Sequence, residues 1–475
     1  MQKLKASIIL PFLLACASGG PRSSTRASVD PAEATARYME SIRSDPSALL
    51  LFLREMPKGG DLHNHLSGSI YAESFIRWAA EDGMCLTTAT LSLSPAPCGQ
   101  GEVQATEILR NTTLYGDVID AWSMRNWSPA RQNGHDQFFE SFARFSASDR
   151  RLGDMLAEVV MRATAQNASY MELMFGPDGG RAIGLGLRNG FNTDFAAMRE
   201  RLLAAGLRDS LSVARRELDS AERRQRDIMG CYKSPVPPPC NTVVRYLYQV
   251  LRGLPPEAVY AQILAAFELA GMDSRVVGFN LVMPEDAPIP MRDFSLHMRM
   301  IDYLHSLYPN VKITLHAGEL AEGLVPPEGM TFHIRESIEL GHARRIGHGT
   351  AILYEDDPQA LMRRMAEGKI LVEVALSSSD GILGVRGKRH PLRTYLRFGV
   401  PVALATDDEG VSRSTLTLEY RKAVEEQDLD YRTIRTMAIN SIAYSFVEDS
   451  TKARLLRELG DAFNRFEVRH AGMQH

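Results

Sequence analysis

The sequence predicts a (β/α)8 barrel with a helical insertion after its first strand. From about residue 55 onward, short runs of β-type residues alternate with longer amphipathic segments, and eight strand runs can be counted. Several of these runs are nearly continuous in apolar residues, which is typical of parallel strands covered on both faces. Strand–helix alternation with a count of eight favours a closed barrel. An open doubly wound sheet is the competing fold, but no Gly-x-Gly-x-x-Gly follows the first strand and no P-loop occurs.

The eight predicted strands span residues 60–65, 169–175, 243–251, 275–282, 312–316, 345–348, 370–376 and 401–406. The amphipathic segments between them, which have helical periodicity, include residues 149–166, 195–222, 256–270, 294–308, 332–340 and 360–367. Residues 66–148 are too many for one ordinary connection, so they are predicted to hold a lid of several helices near the barrel mouth. Residues 431–475 have a helical pattern and complete the predicted barrel domain, 46–475.

The N-terminal segment has the pattern of an export signal. Lys3 and Lys5 precede an apolar run that ends at Cys16 and is too short to span a bilayer. Residues 1–15 are therefore predicted to be a signal peptide. The run Leu-Leu-Ala-Cys at 13–16 resembles the bacterial lipobox, which implies that Cys16 is lipidated; an ordinary signal peptide with an incidental cysteine is the alternative.

The segment that follows the signal, residues 16–45, is predicted to be a lipidated tether. Its first half is rich in Ser, Gly, Arg and Ala, a composition typical of flexible linkers. Several acyl chains anchor a protein firmly to a bilayer. We therefore expect an exported protein, anchored to a bacterial membrane by lipid alone and facing the periplasm or the cell surface.

Four further cysteines lie in this chain, which is predicted to be exported. Each neighbouring pair flanks a proline-containing segment, so we expect the disulfides Cys85–Cys98 and Cys231–Cys240. A zinc finger is disfavoured because no Cys-x-x-Cys spacing occurs.

Composition limits the classes of partner. The chain has 475 residues, 44% hydrophobic and 24% charged, which is enough for a large globular core. Its formal net charge is −4, and no basic stripe interleaved with aromatic residues occurs. Nucleic acid is therefore not an expected partner.

Histidines and carboxylates cluster at the ends of predicted strands. The first strand ends in His63-Asn64-His65, and residues two apart on a strand project to the same side. Strand five ends at His316, strand six at His348, and strand eight is followed by two aspartates, 407 and 408. The carboxyl ends of barrel strands meet at one rim, where active sites of this fold lie. A chance set of buried core histidines explains this arrangement poorly.

Four motifs carry a family resemblance. They are Met-Pro-Lys-Gly-Gly-Asp-Leu-His-Asn-His-Leu at 56–66, Thr-Leu-His-Ala-Gly-Glu at 314–319, Arg-Ile-Gly-His-Gly at 345–349 and Thr-Asp-Asp at 406–408. In identity and order they resemble the adenosine deaminase family of metal-dependent hydrolases. The resemblance implies zinc-dependent hydrolysis of adenosine or 2′-deoxyadenosine to inosine or 2′-deoxyinosine and ammonia. A purine nucleoside is then the expected small-molecule partner, in a role in purine salvage.

The resemblance also implies roles for individual residues. One zinc ion would be held by three imidazoles and one carboxylate, those of His63, His65, His316 and Asp407. Zinc would leave one coordination position for water and lower the pKa of that water to ~7.

Three further residues would transfer protons or contact the base. His348 would orient the water and accept its proton. Glu319 would donate a proton to the purine N1, and Asp408 would contact N7. Two alternatives stay open: Asp408 as a carboxylate that holds His348 or a backbone amide, and Glu319 as the cap of a following helix.

Two segments depart from the family pattern and concern the substrate. Ser67 stands where relatives commonly place an acidic residue that meets the ribose. In the fourth strand, Asn280 replaces the usual aspartate and Met283 falls where a glycine would let backbone approach the base. These three residues are candidate substrate contacts. Glu172 and Glu373, inside predicted strands, are expected to be buried partners of basic residues or of metal-bound histidines.

Other functions remain alternatives. A deaminase or amidohydrolase could act on another aminopurine or a modified adenine nucleoside, and a surface protein could bind nucleosides without catalysis. The segment after strand four offers no lysine to bridge two metals, which favours a single metal and deamination. The deaminase class with His-x-Glu and Pro-Cys-x-x-Cys is excluded because that signature is missing.

Overall fold

Eight parallel strands form the predicted barrel in the computed structural model, which describes residues 30–148 and 150–472. Within these residues the strands are β1 (Gly59–His65), β2 (Cys85–Thr87), β3 (Ser92–Ser94), β4 (Glu102–Gln104), β5 (Ala168–Phe175), β6 (Val243–Leu251), β7 (Val276–Val282), β8 (Lys312–Ala317), β9 (Arg345–His348), β10 (Leu371–Val374) and β11 (Val402–Leu404). The barrel order is β1-β5-β6-β7-β8-β9-β10-β11, and every neighbouring pair is parallel.

The first and last strands meet at Asp407, the residue that follows β11 by three positions. Its N–H donates to His63 O at 2.8 Å, and its carbonyl accepts from His65 N at 2.9 Å. A parallel bridge between Asn64 and Asp407 results. The (β/α)8 prediction is confirmed, and the closure brings Asp407 beside the two histidines of β1.

The helices are α1 (Pro31–Ile42), α2 (Pro46–Glu55), α3 (Ala72–Glu81), α4 (Thr106–Arg110), α5 (Thr112–Ala121), α6 (Gly134–Phe145), α7 (Leu152–Ala165), α8 (Arg181–Asn189), α9 (Phe195–Ala204), α10 (Leu207–Met229), α11 (Pro256–Met272), α12 (Pro288–Leu307), α13 (His333–Glu339), α14 (Pro358–Glu367), α15 (Leu376–Leu383), α16 (Leu392–Arg397), α17 (Glu409–Ser412), α18 (Leu416–Glu425), α19 (Tyr431–Ala443) and α20 (Asp449–Ala471). Across the described residues, each helix is either too short or too polar for a membrane span.

The predicted helix 195–222 is two helices, α9 and α10. Gly206 separates them with φ +90°, a left-handed conformation that glycine adopts without a steric penalty. Apolar periodicity continues across this break because both helices bury an apolar face. The apolar pattern therefore does not reveal the turn at Gly206.

The insertion after β1 holds α3 to α6, as predicted, and also a small antiparallel sheet in the order β3-β2-β4. Disulfides join Cys85 to Cys98 and Cys231 to Cys240, the pairing expected from the sequence. The first one ties the start of β2 to the loop before β4. It thereby fixes the sheet on which α6 packs.

The predicted tether of 16–45 is too long at its C-terminal end. Residues 31–42 form α1, where Asp30 caps the first turn and Thr35 and Met39 are buried. Thr35 donates to Glu467 O of α20 at 3.2 Å. Residues 31–42 thus belong to the folded domain, so the predicted boundary at 46 lies at least fifteen residues too far along the chain. The predicted signal peptide and Cys16 lie outside the described residues.

Candidate active site

Three imidazoles and one carboxylate converge at the C-terminal rim of the barrel. His63 and His65 project together from β1, and their Nε2 atoms lie 3.1 and 3.2 Å from Nε2 of His316 at the end of β8. Each of the two is also 3.3 Å from Oδ1 of Asp407. All four potential ligand atoms lie within 4.8 Å of one another. The structure therefore brings together the four residues predicted to hold the metal.

Each of these imidazoles has an oxygen acceptor on its Nδ1 atom. His63 Nδ1 lies 2.7 Å from Oε2 of Glu373, and His316 Nδ1 lies 3.0 Å from Oδ1 of Asn280. His65 Nδ1 lies 3.1 Å from Oε1 of Gln249. An Nδ1–H that donates to such an oxygen leaves the Nε2 lone pair free to coordinate a metal.

The electrostatics of the centre favour a positive charge. Burial opposes charge on His63, but its close contacts with the Asp407 and Glu373 carboxylates raise the pKa of His63 to about 10. Asp407 Oδ1 is buried and, within the described chain, has no hydrogen bond, a costly condition unless a cation or proton compensates it. Three imidazoles and one carboxylate are a suitable ligand set for a zinc-like divalent cation with an open position. The residues present fit such an ion.

His348 and Glu319 lie next to this centre. His348 ends β9 with φ +66°, and its ring centroid is 4.9 Å from that of His63. Its Nε2 is 3.6 Å from Glu319 Oε1. Burial lowers the pKa of His348 to about 4, while burial and the charges of Asp407 and Glu285 raise the pKa of Glu319 well above its usual value. A neutral imidazole therefore lies beside a protonated carboxyl group, which suits acid–base chemistry.

Glu319 caps no helix, because residues 318–326 are not helical. This removes the alternative that the sequence left open for Glu319. Burial and the charge of Asp407 raise the pKa of Asp408 well above its usual value. Asp408 Oδ1 has no hydrogen-bond partner in the described part of the chain, so this oxygen holds neither His348 nor a backbone amide. Gly68 permits this placement, because a Cβ there would lie 1.5 Å from Asp408 Oδ1.

A cavity of about 390 Å³ opens onto these groups. Its polar side includes Ser67, Glu319 and Asp408. Its apolar wall is formed by side chains from α6, β6, the last residue of β7 and the segment after it: Phe138, Phe139, Phe142, Leu251, Val282, Met283 and Pro284. A second cavity of about 590 Å³ adjoins the first, and both are lined by Ser67 and Gln249. The site can therefore hold an aromatic ring and has space beyond it.

The three candidate substrate residues have different positions. Ser67 and Met283 line the cavity, as expected, and Met283 has φ +91°, a conformation that favours glycine. Asn280 does not line it. Its Oδ1 accepts hydrogen bonds from both N and Nδ1 of His316, so Asn280 orients a metal ligand and the prediction of a substrate contact is wrong for this residue.

Sequence reasoning missed several residues of the site. Gln249 orients His65, and Ser378 donates to Asp407 Oδ2 at 2.7 Å. Gln249 is a polar residue near the C-terminal end of a mostly apolar strand, a signal that could have identified it. Ser378 lies in a Ser-Ser-Ser run directly after the predicted strand 370–376, and nothing in the sequence distinguishes it from its two serine neighbours. Glu172 and Glu373 both pair with the buried Arg345, as expected.

Comparison with known proteins gives a consistent result. A family model described as adenosine deaminase matches residues 136–462. An adenosine deaminase of Vibrio vulnificus is 25% identical over 416 residues, which cover 83% of this chain and 96% of that protein. An adenine deaminase of Sinorhizobium medicae is 26% identical over 326 residues, which cover 68% and 84%. The solved N6-methyl-AMP deaminase of Arabidopsis thaliana shares the fold, with a TM-score of 0.56, 19% identity, and coverage of 87% and 98%.

Proposed function

Because this chain belongs to the adenosine deaminase family, we propose that it hydrolyses adenosine and 2′-deoxyadenosine to inosine and 2′-deoxyinosine, releasing ammonia. The chain is a hydrolytic deaminase with a (β/α)8 barrel. The proposal adds the substrate and a single zinc ion as cofactor. The observation that carries it is the convergence of four ligand atoms within 4.8 Å, beside a buried Glu319–His348 pair.

Zinc bound by these ligands would supply the Lewis acidity that makes a water molecule nucleophilic near neutral pH. His348 is uncharged and accepts the proton that the attacking water loses at the purine C6. Glu319 is a neutral carboxylic acid and donates its proton to N1, which removes aromaticity at C6. Asp408 holds N7 and so fixes the orientation of the base. The C6–N bond then breaks: the amino group takes the proton held by His348 and leaves as ammonia, and the new C6 hydroxyl returns a proton to Glu319 as it becomes the carbonyl of the product.

The decisive assay is the ultraviolet change from adenosine to inosine, together with ammonia release, by the purified zinc-loaded protein. Turnover is expected with zinc, and its loss with a chelator should be reversed when zinc is added. Metal-replete protein that turns over neither adenosine nor 2′-deoxyadenosine would reject the proposed substrates.

Two variants separate the metal centre from the acid. Asp407→Ala should abolish metal retention, because it removes the only anionic ligand of the set. Glu319→Gln should retain zinc but lower kcat by about 10²- to 10⁴-fold, the usual contribution of a positioned acid or base. Metal content by elemental analysis and steady-state kinetics measure the two effects. The reverse result would contradict the assigned roles.

A second candidate is a purine that carries a substituent on the sugar or on N6. The second cavity beside Ser67 favours it, because its volume of about 590 Å³ exceeds what a ribose needs. Relatives of the family include an adenine deaminase and an N6-methyl-AMP deaminase. Comparison of kcat/KM for adenine, adenosine, AMP and N6-methyl-AMP ranks these candidates. Binding of all four without turnover of any would instead support a nucleoside-binding protein.

The location of the enzyme is a separate proposal, supported by the sequence pattern at 13–16. We propose that Cys16 is lipidated and that the enzyme faces the periplasm or cell surface. Incorporation of labelled fatty acid into wild-type protein, and its loss in Cys16→Ala, is the expected result. Full incorporation in the variant would refute the anchor.

A further inference from the structure

A buried carboxylate, Glu285, holds the loop that carries Glu319. Glu285 lies in the segment after β7 and is 1% exposed. Its Oε1 accepts from Gly318 N at 2.9 Å, and its Oε2 accepts from Glu319 N at 2.8 Å. Both oxygens of one side chain therefore bind consecutive amides of the segment that follows β8.

These amides need an acceptor that the backbone does not offer. Gly318 has φ +71°, and residues 318–326 form no α-helix. A Cβ at Gly318 would lie 2.8 Å from Ile334 Cδ1, so the turn is also tightly packed. Buried N–H groups outside helices and strands must find other partners, and here Glu285 is that partner.

Glu285 is itself fixed by a histidine and an arginine. Nδ1 of His333 donates to Glu285 Oε1, and the His333 ring stacks on Phe294 with 4.0 Å between centroids and 3° between planes. The buried Arg252 has Nη2 3.8 Å from Glu285 Oε2 and donates to His316 O at 3.0 Å. Burial alone would raise the pKa of Glu285, but His333, Arg252 and the Gly318 amide lower it to about 2. Glu285 is therefore ionised and a strong acceptor.

We propose that Glu285 and His333 form a positioning pair that sets the backbone at Gly318–Glu319 and thereby aims the Glu319 carboxyl at the substrate. The proposal rests on the proposed function, in which Glu319 is the acid. Neither residue of the pair lines the substrate cavity, so both act through Glu319. Because proton transfer depends on the placement of the acid within hydrogen-bond reach, a shifted loop should slow the chemical step more than it weakens substrate binding.

The first test is Glu285→Gln, which keeps the shape of the side chain and replaces one acceptor oxygen by an NH2 group. We expect kcat to fall by about 10- to 100-fold, with KM and zinc content changed less than about twofold. Asp273→Asn is the matched control. Asp273 is also a buried carboxylate that accepts a backbone amide, from Arg275 at 3.0 Å, but it lies before β7, at the opposite end of the barrel strands from Gly318 and Glu319. The control should lose thermal stability and keep the wild-type kcat.

The second test separates the effect of the hydrogen bond from His333 Nδ1 to Glu285 from the effect of the stacking of the His333 ring on Phe294. His333→Phe keeps the stack on Phe294 and loses the Nδ1 donor, so kcat should fall as in Glu285→Gln. His333→Asn places an amide N–H near the position of Nδ1, so it should restore at least part of the lost kcat.

The rate of backbone amide hydrogen exchange reports whether this loop is held in place, and it can be measured without any turnover of substrate. Exchange of the amides at 318 and 319 should quicken in Glu285→Gln and stay at the wild-type rate in Asp273→Asn. If wild-type protein deaminates no purine, the proposed function fails, while exchange still decides whether Glu285 fixes this loop. Wild-type exchange in Glu285→Gln, or wild-type kcat despite faster exchange, overturns the positioning pair.

Discussion

His63 and Glu373 are joined by a hydrogen bond of 2.7 Å between Nδ1 and Oε2, and both side chains are fully buried. Glu373 also pairs with Arg345, which in turn pairs with Glu172. Burial opposes the charge of Glu373, but Arg345 and His63 lower its pKa, so it is an ionised acceptor. The tautomer of His63 that leaves Nε2 free to coordinate is thereby stabilised.

Glu373→Gln should weaken zinc binding by about 10- to 100-fold, the usual cost of removing a group that orients a ligand. Competition with a chromogenic chelator measures the affinity. Glu172→Gln is the matched control, because it also removes one carboxylate from Arg345 but does not contact a metal ligand. Equal zinc affinities in the two variants would show that Glu373 acts only through Arg345.

Asn280 should affect the metal more than the substrate. Asn280→Leu removes the acceptor of His316 Nδ1, so zinc affinity should fall about 10-fold or more, while KM of zinc-saturated enzyme changes little. Asn280→Asp keeps the acceptor and adds charge, so zinc affinity should match or exceed that of the wild type. A large rise in KM with unchanged zinc affinity in Asn280→Leu would restore the substrate role predicted from sequence.

The contrast between Asn280 and His316 shows what sequence can predict. The sequence could predict that His316 lies at the metal site, because it ends a strand and the barrel brings the C-terminal ends of all strands to one rim. The role of Asn280 could not be predicted in this way, because an amide in a strand end can face the cavity or the next strand with equal ease. Its role depends on the register between β7 and β8, which alternation of apolar residues does not specify.

The fold, too, could be predicted from the sequence only in part. Eight strands followed from apolar runs bounded by turns, and the boundaries agree to within a few residues. The sheet β2–β4 was missed because its strands have three residues each, too few to show a period of two. The start of α1 was missed because its alanine-rich first half continues the composition of the segment before it, and only packing on α20 distinguishes it.

Helix α6 should be held over the cavity more firmly at acidic pH. His135 Nε2 lies 3.0 Å from Asp286 Oδ1, and its Nδ1 lies 3.0 Å from Asp136 Oδ1. The hydrogen bond to Asp286 raises the pKa of His135, although burial opposes it. Because the pKa of His135 is higher in the folded than in the unfolded protein, protonation of His135 stabilises the fold. This stabilisation is fully present below the unfolded pKa of about 6.5 and is lost as pH rises through the folded pKa.

Asp286→Asn should therefore lower the free energy of unfolding by up to about 1 kcal/mol at pH 5.5, and by much less at pH 8.5. Thermal unfolding of both proteins at the two pH values measures this difference. A destabilisation that is independent of pH, or larger at pH 8.5, would show that the pair does not depend on protonated His135.

The Cys85–Cys98 disulfide should stabilise the insertion, and with it the wall of the cavity. The bond closes a loop with a sequence separation of 13. A disulfide across a loop of this length restricts the unfolded chain and so stabilises the folded state by about 3 kcal/mol. Cys85 is fully buried beside β3 and β4, and α6, which carries Phe138, Phe139 and Phe142, packs on β3. Replacing both cysteines by alanine should therefore lower the unfolding midpoint and raise KM, because α6 loses its support.

The matched control is the double replacement of Cys231 and Cys240 by alanine. That bond closes a loop of similar length, with a sequence separation of 9, at a site that does not line the cavity. Its loss should lower the unfolding midpoint by a similar amount and leave KM unchanged. If both double variants raise KM equally, the effect comes from general loss of stability, and the disulfide of the insertion has no specific role at the cavity.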